Sequence, residues 1–146
     1  MKKKSTKSKQ MICHECGTSL VREERPVEIS YKGQSVMVQQ PGWWCPDCGE
    51  GVLVGKDVAA TEPAFIELKA RVDGILTPAE VRRIRTKLKL SQRKASAILG
   101  GGPRAFQKYE NGEVCISRAM SNLLRLLDKN PKLLNELETM QTDVAA

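Results

Sequence analysis

Apolar and polar positions follow two different rhythms along this chain. Val27–Tyr31 alternates crudely, Lys32-Gly33 interrupts, and Ser35-Val36-Met37-Val38 resumes. A period of two on either side of a Lys-Gly step predicts two strands joined by a tight turn. Pro41-Gly42 breaks the second strand before Trp43-Trp44. Past residue 60 the period becomes helical: Phe65, Ile66, Leu68 and Val72 fit one short helix starting at Glu62-Pro63 and ended by Gly74. Thr77-Pro78-Ala79-Glu80 then reads as a helix start, with Thr as N-cap, Pro at the first helical position and Glu at the third. Val81, Ile84 and Leu88 supply the apolar stripe of that helix.

Ser91 is a second N-cap, and Gln92–Leu99 places Ala95, Ile98 and Leu99 inward. Gly100-Gly101-Gly102 forces a sharp break, because glycine reaches positive φ freely. Pro103–Glu110 forms the next helix, closed by Asn111-Gly112. Two short helices across a tight glycine turn make a helix-turn-helix, whose second helix enters the major groove of DNA. A helix over Arg118–Leu127, the punctuation Asn130-Pro131, and a last helix from Lys132 to Met140 complete the pattern.

Cysteine changes the picture of the strand-rich half. Cys13-His14-Glu15-Cys16-Gly17 and Cys45-Pro46-Asp47-Cys48-Gly49 are matched knuckles flanking the hairpin. Two such pairs have the spacing of a closed four-thiolate zinc site, which holds a fold and leaves no open position for chemistry. A thioredoxin-type redox pair would open a helix inside a βαβ unit, and neither pair precedes an amphipathic run. Two disulfides are the other alternative, but Met1–Gln10 is rich in lysine and serine with no apolar stretch behind it, unlike a secretory leader. A cytoplasmic setting is therefore expected. His14 reads as a surface bystander and Cys115 as a small packing residue. Of Trp43 and Trp44, strand alternation puts one on the hairpin and exposes the other as a candidate partner contact.

The chain has 146 residues, room for one ordinary domain or two small ones, and aromatics make up 4% of it. A module of about 50 residues buries little surface, and a metal compensates. No stretch approaches the roughly 20 apolar residues of a membrane span. The net charge of +7 is unevenly placed. Residues 1–10 carry five lysines and no acid, 11–77 carry a net −4, 78–127 a net +8, and 128–146 a net −2. The basic block coincides with the helix-turn-helix, as expected of a phosphate-binding surface.

Leu90-Ser-Gln-Arg-Lys-Ala-Ser followed by Gly100-Gly-Gly-Pro-Arg-Ala-Phe-Gln-Lys-Tyr-Glu-Asn-Gly112 resembles the helix-turn-helix of Xre/Cro-type repressors. With the two cysteine pairs ahead of it and Leu-Leu-Arg-Leu-Leu-Asp-Lys-Asn-Pro-Lys-Leu-Leu over 123–134, about residues 11–140 resemble the MqsA (YgiT-type) antitoxins. The resemblance implies that the zinc module neutralises a small mRNA-cleaving ribonuclease of RelE-like fold. It also implies that the C-terminal domain dimerises and represses its own operon at a palindrome. In the recognition helix, Phe106 and Tyr109 are spaced to pack inward while Arg104, Gln107 and Lys108 face out. Arg104 and Lys108 can donate to guanine, and Gln107 to adenine or phosphate. Ser91, Gln92 and Arg93, opening the preceding helix, are placed for the DNA backbone. Some members carry Asn in place of Arg104 and Arg in place of Lys108, so the family's operator sequence does not transfer.

The expected architecture is two small domains: an N-terminal zinc-ribbon-like β-hairpin module and a C-terminal all-α Xre-type helix-turn-helix domain. The boundaries are a disordered basic tail at 1–10, the zinc module at 11–60, a helical connector at 61–76, the DNA-binding domain at 77–140 and a disordered tail at 141–146. One structural zinc on Cys13, Cys16, Cys45 and Cys48, a ribonuclease toxin, palindromic DNA and a second copy of the chain are the expected partners. No Ser/His/Asp set or phosphate loop points to an enzyme. The competing function is a zinc-stabilised helix-turn-helix regulator with no toxin.

Overall fold

The computed structural model describes residues 10–144, with side chains to Gln141. The basic tail expected at the N-terminus lies outside the described residues except for Gln10. Three strands and six helices follow in order: β1 (Val21–Tyr31), β2 (Gln34–Trp44), β3 (Gly51–Val52), α1 (Gly55–Asp73), α2 (Pro78–Lys87), α3 (Gln92–Leu99), α4 (Ala105–Asn111), α5 (Arg118–Lys129) and α6 (Leu133–Val144). They form an N-terminal antiparallel hairpin with a cysteine cluster and an all-helical C-terminal region, the architecture the pattern predicts.

Contacts divide the chain into two compact units. One runs to Val27 and resumes over Met37–Thr61; the other takes Glu28–Val36 and everything from Glu62 onward. The hairpin therefore contributes its base to the first unit and its tip to the second.

In the first unit the sheet order is β1-β2-β3. The short β3, which the periodicity did not show, pairs antiparallel with the end of β2, Trp43 opposite Val52 and Trp44 opposite Gly51. Cys13, Leu20 and Cys45 are buried, with Met11, Trp43 and Val52 packed around them. So small a core needs a cross-link. The first turn of α1 belongs here. Asp57 accepts from the amide of Val54 at 2.9 Å, as the third residue of a capping box does, and is gripped by Nη1 and Nη2 of Arg22. Its carboxyl is nearly fully buried, and Gln40 donates to its backbone carbonyl at 2.8 Å. These bonds start the helix at Gly55, well before Glu62-Pro63. Glu62 and Pro63, which the periodicity puts at the start of a helix, lie inside α1.

In the second unit the hairpin tip turns through Lys32 and Gly33 with φ of 46° and 80°. Two consecutive positive φ values are the requirement of a type I′ hairpin turn. Tyr31 donates to Asp73 at 2.9 Å and meets the Phe65 ring edge-on, with centroids 6.0 Å apart. The helical core consists of Ala70, Ile75, Leu76, Val81, Ile84, Leu88, Leu90, Ala95, Ala105, Phe106, Ile116, Met120, Leu124 and Leu127. Thr77 and Glu80 form the full capping box read from the sequence, and Ser91 and Ser117 cap α3 and α5. The helix expected from Pro103 begins at Ala105, with Arg104 as its N-cap. The last helix continues to Val144, past the tail expected from residue 141. Gln141 donates to the carbonyl of Ala97 at 3.2 Å and also to that of Ile98, tying α6 to the C-terminal end of α3.

Candidate metal centre and nucleic-acid face

The two cysteine knuckles repeat bond for bond. Cys13 N–H donates to Thr18 O and Gly17 N–H to Cys13 O; Cys45 N–H donates to Glu50 O and Gly49 N–H to Cys45 O, all at 2.8–3.1 Å. Gly17 and Gly49 sit at φ of 76° and 79°, where a side chain would strain the turn. Each knuckle presents one buried sulfur, Cys13 or Cys45, and one exposed sulfur, Cys16 or Cys48.

All four Sγ atoms lie within 4.8 Å of one another. Cys16 to Cys45, Cys13 to Cys48 and Cys16 to Cys48 are 3.4, 3.5 and 3.8 Å. A tetrahedron with Zn–S bonds of about 2.3 Å has sulfur–sulfur edges of about 3.8 Å, so the donor set fits zinc. The same spacings far exceed the roughly 2.05 Å of a disulfide. Without metal the protons are held unevenly. Thr18 draws the Cys16 thiol down to about 6 through its side chain and backbone. Against a lowering bond at the Glu50 backbone, burial and the protons shared with Cys13, Cys45 and Cys16 push Cys48 up to about 12. A divalent cation takes all four as thiolates and releases those protons. Bound zinc supplies a cross-link between the two ends of the hairpin.

His14 is exposed and stands outside the cluster. Neither tryptophan is fully exposed, contrary to the expected division. Both are half-buried, because each is roofed by an arginine: Arg22 lies 5.8 Å from the Trp43 ring and Arg25 5.2 Å from Trp44. Trp44 lies flat on Gly51, where a Cβ would come within 2.5 Å of its ring. Cys115 is half-buried against the helical core, and burial pushes its thiol up.

The second candidate site lies in the helical unit. Phe106 and Ala105 are buried and Tyr109 half-buried, with the Phe106 and Tyr109 rings edge-to-face at 5.5 Å. That packing leaves Arg104, Gln107 and Lys108 exposed. Arg104 and Gln107 line a cleft of about 600 Å³ with Gln92 and Arg93, closed by Ser96, Ala97, Gly102 and Pro103. Lys108 lies beside it, sharing a smaller hollow with Arg104 and the glycine turn. Ser91 is exposed, but its hydroxyl is occupied in accepting from Lys94 N–H at 3.1 Å.

Four polar residues that brace the helical unit carried no signal in the periodicity. Ser96 is buried and accepts from Phe106 N–H at 3.4 Å, fixing α3 to α4 across the turn. Glu110 and Arg85 form a double hydrogen bond between α4 and α2. Ser121, fully buried on α5, accepts from Leu76 N–H at 3.0 Å. A polar residue at an inward helical position was the available clue. Gly101, at φ 96°, lies so close to Ala105 and Tyr109 that a Cβ would come within 2.9 Å of both.

A family model described as the antitoxin component of a bacterial toxin-antitoxin system, MqsA, matches residues 11–138, spanning both sites. The chain belongs to the MqsA antitoxin family. It is 30% identical to Antitoxin MqsA of Escherichia coli (strain K12) over 128 residues, covering 86% of this chain and 96% of that protein. MqsA membership makes the chain the antitoxin component of a toxin-antitoxin system, a regulatory role, and its four-cysteine cluster is consistent with a structural zinc site. No described helix is long and apolar enough to cross a membrane.

Proposed function

We propose that this chain neutralises a cognate mRNA-cleaving ribonuclease through its zinc module and represses its own operon, as a homodimer on palindromic DNA, through the helix-turn-helix. The observation that carries the reading is the pairing of two surfaces of opposite charge in one chain. The first unit, between residues 10 and 61, holds six acidic and three basic side chains. Two of those bases are spent internally, Arg22 on Asp57 and Arg25 on Glu23. A zinc ion on four thiolates adds a formal −2. An RNA-cleaving partner is basic where it holds its substrate, and opposite charge steers such an encounter.

On the helical unit, Arg104, Gln107 and Lys108 have the outward placement of base-reading residues, with Gln92 and Arg93 set for the flanking backbone. Ser91 acts through its cap, orienting the amides at the start of α3. One recognition helix reads few base pairs, so a second copy about 10 base pairs away completes the site. These activities place the protein in the cytoplasm.

The test is to express each small reading frame adjacent to this gene, look for growth arrest, and co-express either the full chain or this chain with its zinc ligands replaced. Arrest relieved only by the intact zinc module supports the reading. No arrest from either neighbour leaves a zinc-stabilised DNA-binding regulator without a toxin.

A further inference from the structure

Among the described residues other than glycine, two hold a left-handed backbone, and both are lysines: Lys32 at φ 46° and Lys89 at φ 57°. Side chains with a Cβ are disfavoured there, lysine included. Lys32 has a local reason for its place, since its ammonium lies 2.8 Å from Asp73 and 5.2 Å from the Tyr31 ring centroid. Lys89 has none. It is exposed, and its side chain makes no hydrogen bond, ion pair or ring contact with any described residue.

The backbone around Lys89 explains the conformation. Leu88 is the C-cap of α2. Lys89 N–H donates to Thr86 O at 3.0 Å and Leu90 N–H to Arg85 O at 3.2 Å. Those two bonds are the Schellman closure of a helix, whose left-handed position favours glycine. Here that position carries a cation instead. Only Leu90 separates it from Ser91, the N-cap of α3, whose Gln92 and Arg93 share a cleft with Arg104 and Gln107. Lys94, Lys129 and Lys132 are also exposed, but on ordinary backbone where lysine carries no such penalty.

We infer that Lys89 is a DNA phosphate contact, holding the strand that flanks the groove entered by α4. The inference rests on the DNA-binding reading above. A phosphate contact carries no base preference, so it adds affinity to every sequence alike and steepens the dependence on salt.

The test titrates the zinc-loaded full chain, as wild type, Lys89→Gly, Lys89→Gln and Lys89→Arg, against duplex DNA from upstream of its own reading frame and a scrambled duplex of equal length. Each titration is repeated over a range of salt, with thermal unfolding measured in parallel. Lys89→Gly should unfold at the same or a higher temperature yet bind both duplexes roughly five- to tenfold more weakly near 0.1 M salt. The slope of log K against log salt should fall by about 0.9, the share of one phosphate. Lys89→Gln, which keeps the backbone and removes the charge, should show the same slope loss, and Lys89→Arg should keep the wild-type slope. A wild-type slope in Lys89→Gly and Lys89→Gln overturns the inference while leaving DNA binding intact. A wild type that binds neither duplex overturns the DNA-binding reading and this inference with it.

Discussion

Arg85 closes on Glu110 with two parallel hydrogen bonds, Nε to one carboxylate oxygen at 2.8 Å and Nη2 to the other at 2.7 Å. Nη1 donates to Leu90 O at 2.8 Å, so one guanidinium joins α2, the turn after it, and the end of α4. Both side chains are largely buried, at 15% and 4% exposure. Removing one partner strands a charge away from water. Glu110→Ala should therefore cost about 3–5 kcal/mol in a urea titration. Arg85→Met with Glu110→Leu should recover much of that loss, and a double-mutant cycle gives the coupling.

Zinc should be present at one ion per chain, and a strong chelator should unfold the first unit alone. Its buried residues are few and two of them are ligands. The helical core contains none of the four ligands, so the helical circular-dichroism signal should persist as metal is withdrawn. Loss of both together would show that the metal supports more than its own module.

Asp128 accepts from Arg83 and from Lys87, and these partners, Arg83 first, hold its carboxyl down at about 2. A folded-state pKa below the unfolded value of 3.8 stabilises the protein above that value, and the contribution fades as pH falls toward 2. Unfolding temperature should thus be flat with respect to this group from pH 7 to 5 and decline below about 4. Asp128→Asn should lower the neutral-pH midpoint and flatten the acid limb of the helical unit. Asp57, held at about 2 by Arg22 and the Val54 amide, adds the same sign of dependence in the first unit.

Arg104→Ala and Lys108→Ala should each lose about 1–3 kcal/mol on the natural operator and relax preference at one base pair per half-site. Titrations against singly substituted operators check this. Equal weakening on all sequences would reassign both residues to phosphate.

The helical half was largely legible because its signals are local. Ser91, the triple glycine and the Thr77–Glu80 capping box act within a turn of chain, and the inward Phe106 with outward Arg104 and Lys108 follows from helical period alone. The zinc ligands were legible for the same reason, since two short knuckles encode two donors each. The start of α1 was not. Its cap depends on Arg22 and Gln40 reaching Asp57 from β1 and β2, a long way back in sequence.

By itself, then, the sequence determined the donor set for a metal, the helix-turn-helix, and which side of the recognition helix faces outward. Spacing, caps and periodicity are properties of neighbouring residues. Only the tertiary structure decided that both tryptophans lie under arginines, that Ser96, Ser121, Arg85 and Glu110 are buried partners, and that Lys89 stands on left-handed backbone without one. Those outcomes depend on which distant groups share a desolvated space, and a buried polar atom is stable only where folding has brought its partner to it.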